Sequence, residues 1–227
     1  LGNIVVPLED NGKKKNFYDL FAFHELSLFA KYIKLKKNFK VALDVGANLG
    51  LHTIILSRLG YKVKSFEADP ETFKKLKKTL KSNVCKNYKL YNFAISNFNG
   101  KSKFYQIKDN LTANTLENTS KKVYGKHKVI KVNVRKILNF LPQTNFIIKL
   151  DVEGSEYDIL NTISFKKKKI KKKIFFEVND SGSARKIYDF MKQNNLKFYV
   201  ERKNWKEIKQ VSQMPKSWKH GSVLIDS

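Results

Sequence analysis

The order of apolar runs along this chain predicts an α/β fold, with a mainly parallel sheet covered on both faces by helices. Three observations predict it. Short apolar runs alternate with segments of helical apolar spacing between residues 40 and 225. A glycine-bearing turn, Gly46-Ala-Asn-Leu-Gly50, joins the first run to the first helix behind it. Asp44, Glu67, Asp151 and Glu177 stand at or near the ends of runs. In such a sheet these residues and Ala94 fall on the carboxyl edge, where ligands of open α/β sheets bind.

Taken in order, residues 17–37 carry an apolar face through Phe21, Leu26, Phe29 and Ile33 and are expected to be helical. A strand is expected near 40–45 and a helix near 49–59, with Leu51, Ile54, Ile55 and Leu59 on its apolar face. A second strand follows near 62–67, and a helix near 70–82 with Phe73, Leu76 and Leu80 on one face. Asp69 suits the N-cap of that helix, and Pro70 suits its first position, where a missing N–H costs nothing. Tyr88–Ala94 reads as a third strand, and Lys101–Ile107 alternates like an added one. Residues 108–127 are polar, and a loop of that length is commonly functional. Val129–Val134 is expected to be extended, and Arg135–Leu141 to form a helical turn or two. Phe146–Leu150 is the most apolar strand candidate and runs into Asp151. A helix starting over Ser155–Leu160, a strand Ile174–Val178, a helix Ala184–Gln193 and strands Lys197–Val200 and Ser222–Ile225 complete the pattern.

The 227 residues are enough for one globular domain, and 41% hydrophobic content excludes a disordered chain. Without an internal repeat or a Pro/Gly-rich linker, the expected division is a helical lead-in over 1–38 and a single domain over 39–227. No apolar run reaches membrane-spanning length and no signal-peptide layout is seen, so a cytoplasmic site is expected. Cys85 is the single cysteine, which rules out an intrachain disulfide and a cysteine zinc site. His24, His52, His127 and His220 lack metal-ligand spacing; the carboxylates could hold a metal, but no spacing demands one. The formal net charge of +26 points to a polyanionic partner. Its make-up points away from one. Only Arg58, Arg135, Arg185 and Arg202 are arginines, and arginine is the residue of bidentate phosphate and base recognition. Lysine is spread along the chain, with one dense cluster at Lys166–Lys173 that reads as a solvated loop.

Two segments carry chemistry. In the first, strand, glycine turn and helix form the opening of a nucleotide-binding α/β unit. Glycine allows positive φ and close backbone approach, and the helix start offers free N–H groups. Glu67 ends the second strand about 20 residues after the turn, where this architecture grips a ribose diol. In the second, Lys149-Leu-Asp151-Val-Glu153-Gly-Ser-Glu156 gathers three carboxylates and a lysine at a strand end. Continued strand periodicity would set Lys149, Asp151 and Glu153 on one side. A lysine inside an apolar strand requires a partner, and Asp151 is the nearest. Ser155 or Glu156 alternatively serves the following helix start.

Asp44-Val-Gly-Ala-Asn-Leu-Gly50, Phe66-Glu67-Ala-Asp69-Pro70 and Ile148-Lys149-Leu-Asp151-Val-Glu153-Gly154-Ser-Glu156, in that order, resemble the FkbM family of S-adenosylmethionine-dependent methyltransferases. Ala94-Ile-Ser96, Asn114-Thr-Leu116 and Val132–Leu138 are smaller echoes, and the resemblance covers most of residues 40–180. It implies a Rossmann-like class I methyltransferase sheet, mostly parallel with an antiparallel last strand and helices on both faces. It implies S-adenosylmethionine as cofactor and O-methylation of a sugar, glycan or natural-product hydroxyl. By the same resemblance, Asp44, Gly46, Asn48 and Gly50 would line the methionine end of the cofactor. Glu67 would bind the ribose, Ala94 and Ser96 would lie near the adenine, and Asp151 and Glu153 would face the transferred methyl group.

Asp151 is the expected general base, Glu153 the second choice, and Lys149 steadies the carboxylates or the nascent alkoxide. His52 is a weaker base candidate, and the polar segment 108–127 a candidate acceptor loop. The competing readings are an RNA methyltransferase acting on a ribose hydroxyl, which the charge favours and the FkbM-like motif set disfavours, and a non-catalytic cofactor-binding interaction module.

Overall fold

The computed structural model describes residues 2–5, 23–108, 114–117, 119, 123, 125–165 and 169–227. Residues 17–22 of the expected first helix and much of the polar segment 108–127 lie outside the described residues. Strands β1 (Val41–Val45), β2 (Lys62–Phe66), β3 (Tyr88–Tyr91), β8 (Phe146–Leu150), β9 (Lys172–Phe176), β10 (Lys197–Val200), β11 (Lys206–Glu207) and β12 (Val223–Asp226) form one sheet. Its order is β11-β10-β12-β9-β8-β1-β2-β3. Neighbours pair parallel from β3 across to β9, whereas the last strand, β12, runs antiparallel to both β9 and β10. The chain leaves β1 outward to β3 and re-enters on the other side of β1 at β8. The strand order therefore reverses between β1 and β8, and the crevice beyond that point is where such sheets hold ligands.

Strand alternation sorts the core into two faces. Leu43, Val45, Ile148, Leu150, Ile174 and Phe176 pack with helices α4 (Glu156–Thr162) and α5 (Ser181–Gln193). Ala42, Ile147 and Phe175 pack on the opposite face with α1 (Phe23–Leu35) and α2 (Leu51–Arg58). Asp44 and Lys149 share the parity of Ala42 and Ile147, so both face α1 and α2. Helix α3 (Pro70–Ser82) seats Phe73, Leu76 and Leu80 against Ile54. Its cap is the expected one: the Asp69 carboxylate accepts from Glu71 N–H at 2.9 Å, with Pro70 in the first turn.

Three expectations change. The run Tyr88–Ala94 is two strands, β3 and then β4 (Ala94–Ser96), which belongs to a second sheet. That sheet has the order β4-β7-β5-β6 and adds β5 (Gly100–Ile107), β6 (Thr115–Leu116) and β7 (His127–Lys136). Of its strands, β5 is visible in the sequence as an alternating segment and β7 as an extended one, whereas β6 lies in the segment read as a loop; their pairing is set by long-range register, Gly100 opposite Val134 through Ile107 opposite His127. The strand expected at Ile174–Val178 begins earlier, at Lys172, which is 5% exposed. The lysine cluster is therefore not wholly a solvated loop: Lys172 donates to the Ile170 carbonyl and its ammonium lies 6.0 Å from the Phe165 ring centre. The helical turns expected over Arg135–Leu141 form one short 3-10 segment, Ile137–Phe140.

Candidate cofactor and acceptor site

The turn after β1 is built on two positive-φ glycines with different reasons. Gly46 (φ +81°) lies against the backbone of Asp151, where an added Cβ would stand 1.8 Å from the Asp151 carbonyl oxygen. Gly50 (φ +94°) is the N-cap of α2, and a Cβ there would meet Leu76 of α3 at 2.6 Å. Gly46 thus lets the turns after β1 and β8 touch, while Gly50 seats α2 on α3. Asn48, also at positive φ (49°), turns its N–H toward β2.

Glu67 receives that N–H. Its carboxylate accepts from Asn48 N–H and from Asp69 N–H, both at 2.9 Å, and so braces the glycine turn against the start of α3. Burial pushes Glu67 up to about 7, against the lowering effect of those two hydrogen bonds. Each carboxylate oxygen retains a lone pair for a further donor.

A cavity of about 80 Å³ opens beside this turn. Gly46, Asn48, Glu67, Asp151 and Glu153 line its main-sheet side, and Ala94, Phe104, Asn114 and Leu116 of the second sheet and the chain entering it line the opposite side. Phe66 and Phe93 add an apolar end, backed by Tyr91 stacked on Phe66 with ring centres 5.0 Å apart. An apolar slot beside a carboxylate suits a nucleoside, its base in the slot and its ribose on Glu67. The carboxamide oxygen of Asn48 and Asp44 Oδ1 are both buried and receive no hydrogen bond among the described residues. Such acceptors suit a ligand ammonium. Asp44 lies beneath the lining, fully buried, with its Oδ2 accepting from the Thr53 hydroxyl at 2.6 Å.

At the end of β8 the Lys149 ammonium donates to Asp151 Oδ2 at 2.9 Å. Burial opposes the lysine charge, but Asp151, Asp44 and Glu25 outweigh it and hold Lys149 above the ordinary lysine range. The expected same-side arrangement stops at Asp151. The strand ends at Leu150, and Glu153 takes positive φ (56°) in the turn that follows. Glu153 reaches the cavity through that turn rather than by strand periodicity. Glu156 holds the turn together, accepting from Val152 N–H at 3.2 Å and Gly154 N–H at 2.9 Å, and burial raises it to about 7. Ser155 makes no side-chain cap bond.

Beyond Asp151 the edge continues with Glu177, just after β9. Burial, and then the neighbouring Asp151 charge, push it well above the carboxylate range. From α1, Glu25 reaches His52 Nε2 at 2.8 Å, while His52 Nδ1 meets the Tyr32 hydroxyl at 3.1 Å. Both ring nitrogens of His52 are thus engaged in tying α1 to α2.

Of the residues expected to bind cofactor, Gly46, Asn48, Glu67 and Ala94 line the cavity, while Asp44, Gly50 and Ser96 lie outside the lining. Ser96 is buried, with its hydroxyl 3.4 Å from the Asn97 side chain. Asp151 and Glu153 line the cavity with Lys149 behind them. Sequence reasoning missed Glu25, Phe93 and Phe104 as neighbours of the site, while Asn114 and Leu116 belong to the segment read as a candidate acceptor loop. The alternation of the added strands was the one signal available for Phe104. Among the described residues no group of His, Cys, Asp and Glu could hold a metal ion, and no helix is long and apolar enough to cross a membrane.

No curated protein matches the sequence. Among solved structures, precorrin-6y C5,15-methyltransferase from Geobacter metallireducens superposes with a TM-score of 0.48 at 14% identity, over 99% of this chain and 97% of that one. A ribosomal protein L11 methylase from Lactobacillus delbrueckii gives 0.45 at 12%, over 88% and 76%. TYW2 from M. jannaschii, in complex with AdoMet, gives 0.45 at 13%, over 91% and 75%. At these scores the likenesses carry no argument. The family model of the methyltransferase FkbM domain, by contrast, matches residues 44–198, the segment that runs from Asp44 through both turns to β10. The chain belongs to the FkbM methyltransferase family, and its cofactor is S-adenosylmethionine.

Proposed function

We propose that this protein transfers a methyl group to a hydroxyl of a sugar, glycan or natural product, with Asp151 as general base. The sulfonium of the cofactor supplies the activated methyl group. The chain must hold the acceptor oxygen in line with that group and take its proton. Asp151 suits the second task, since it lines the cavity and its carboxylate is oriented by the Lys149 ammonium at 2.9 Å. Glu153 is the second choice. His52 is set aside, because both its nitrogens already serve Glu25 and Tyr32. Gly46, Asn48 and Glu67 are assigned to the cofactor, with Asp44 supporting the turn from below and Ala94 beside the base. Gly50 and Ser96 shape the surrounding backbone.

The observation that carries the acceptor class is the charge of the edge. In a chain of net charge +26, Asp151 and Glu153 at the cavity, with Glu177 and Glu25 close by, gather around the ammonium of Lys149. Half-buried carboxylates favour hydrogen-bond donors such as sugar hydroxyls and repel phosphates. This supports a polyhydroxyl acceptor over RNA. The test is incubation with labelled S-adenosylmethionine and matched neutral glycans, sugar phosphates and short RNAs. Label in the neutral glycan, stable to alkali as an ether, is expected. Transfer to RNA alone would overturn the reading.

A further inference from the structure

The second sheet roofs the cofactor cavity. Phe104 of β5, Leu116 of β6 and Asn114 just before it face Gly46, Glu67 and Asp151 across the space. The cavity holds about 80 Å³, whereas sites for ligands of this class span roughly 300–1,000 Å³. With the roof in this position the space beside the turn is well short of a site that encloses the whole cofactor.

Among the described residues, the polar bonds from β5, β6 and Asn114 of the roof to the main sheet's turns converge on two points. Gln106 donates to Asp69 Oδ1 at 2.9 Å, and Asn114 donates to Asp69 Oδ2 at 3.3 Å. Thr115 donates to the Glu153 carbonyl at 2.7 Å. Asn114 also accepts from Ile107 N–H at 2.8 Å, so it moves with β5. Asp69 has a separate role: it caps α3 through Glu71 N–H and the Thr72 hydroxyl. Lifting the roof therefore leaves the α3 cap intact. The β5–β7 ladder, the roof's own framework, is likewise undisturbed.

We propose that Asp69, Gln106, Asn114 and Thr115 form a clasp that positions the second sheet over the cofactor, and that this clasp opens for the cofactor to enter and leave. Gln106 and Thr115 are positioning residues, since neither lines the cavity. The Thr115 bond also ties the roof to the backbone of Glu153, so closing over the cofactor sets the turn that follows the proposed base.

The proposal rests on the cavity being the cofactor's. The experiment measures association and dissociation rates of labelled S-adenosylhomocysteine on wild type, Gln106→Ala, Thr115→Val and the double variant, with hydrogen exchange of residues 104–107 and 114–117. Both rates are expected to rise about two- to tenfold per lost bond, with equilibrium affinity changing less than either rate. Exchange in those residues should slow when S-adenosylhomocysteine is bound. Unchanged rates with wild-type affinity would overturn the clasp alone. Failure of folded wild type to bind S-adenosylhomocysteine would overturn the cavity as cofactor site and the clasp with it.

Discussion

The turns after β1 and β8 are built alike and serve different ends. Each departs from a buried parallel strand, uses a positive-φ residue, and is braced by one buried carboxylate that accepts two backbone N–H groups. Glu67 braces the first, and Glu156 the second. Burial raises both to about 7. Yet Glu67 lines the cavity and Glu156 does not. A raised carboxylate therefore marks a desolvated turn, and only its place relative to the cavity separates a ligand-facing group from a structural one.

Predictions that would break or sharpen this contrast begin with Asp151, which stands where the two turns meet. Asp151→Asn should lower methyl transfer by about a hundredfold to ten-thousandfold, with the protein still folded and S-adenosylhomocysteine affinity kept. Turnover near wild type would remove Asp151 as base. Next is the contact between the turns. Gly46→Ala puts a methyl group 1.8 Å from the Asp151 carbonyl oxygen. It should cost on the order of 3 kcal/mol in denaturant unfolding through overpacking and positive φ, and abolish cofactor binding by calorimetry.

The two carboxylates are then compared directly. Glu67→Gln and Glu156→Gln should each cost about 1–3 kcal/mol of stability, because an amide cannot accept both N–H groups. Only Glu67→Gln should also weaken S-adenosylhomocysteine, by about ten- to a hundredfold. Equal loss in both variants would erase the distinction. The smallest effect is with pH. Free Glu67 titrates near 7, and ribose hydroxyls, as donors, favour its ionised form. Affinity should therefore rise with pH, by up to about tenfold per unit below 7, and level off above it. Glu67→Gln should flatten that profile. At Glu156 the sign concerns stability. A carboxyl raised from 4.5 to about 7 favours the folded state when protonated, so its contribution is lost as pH rises across that window. Comparing wild type with Glu156→Gln by thermal melts isolates it.

Much of the site is legible in local sequence because its parts are local devices. Asp69 and Pro70 announce a helix start through backbone chemistry alone. Lys149 in an apolar strand demands a partner two residues on, and finds it. The limits are equally physical. Strand periodicity carried to Glu153 fails because the chain leaves the strand at Leu150, and a turn has no period. Gly50 and Gly46 look equivalent in sequence, but one answers to Leu76 and the other to the Asp151 backbone, each far away along the chain.

By itself the sequence determined the alternation of strands and helices, the carboxyl edge on which Asp44, Glu67, Asp151 and Glu177 meet, and the motifs of an FkbM methyltransferase. These rest on burial periodicity and capping, which act within a few residues. Only the tertiary structure decided that β4, β5, β6 and β7 pair into a roof over the cavity, that Glu25 of α1 adds its charge beside Lys149, and that Glu156 is a brace. Those depend on register and on contacts between distant segments, where burial and electrostatics are set by what the folded chain brings alongside.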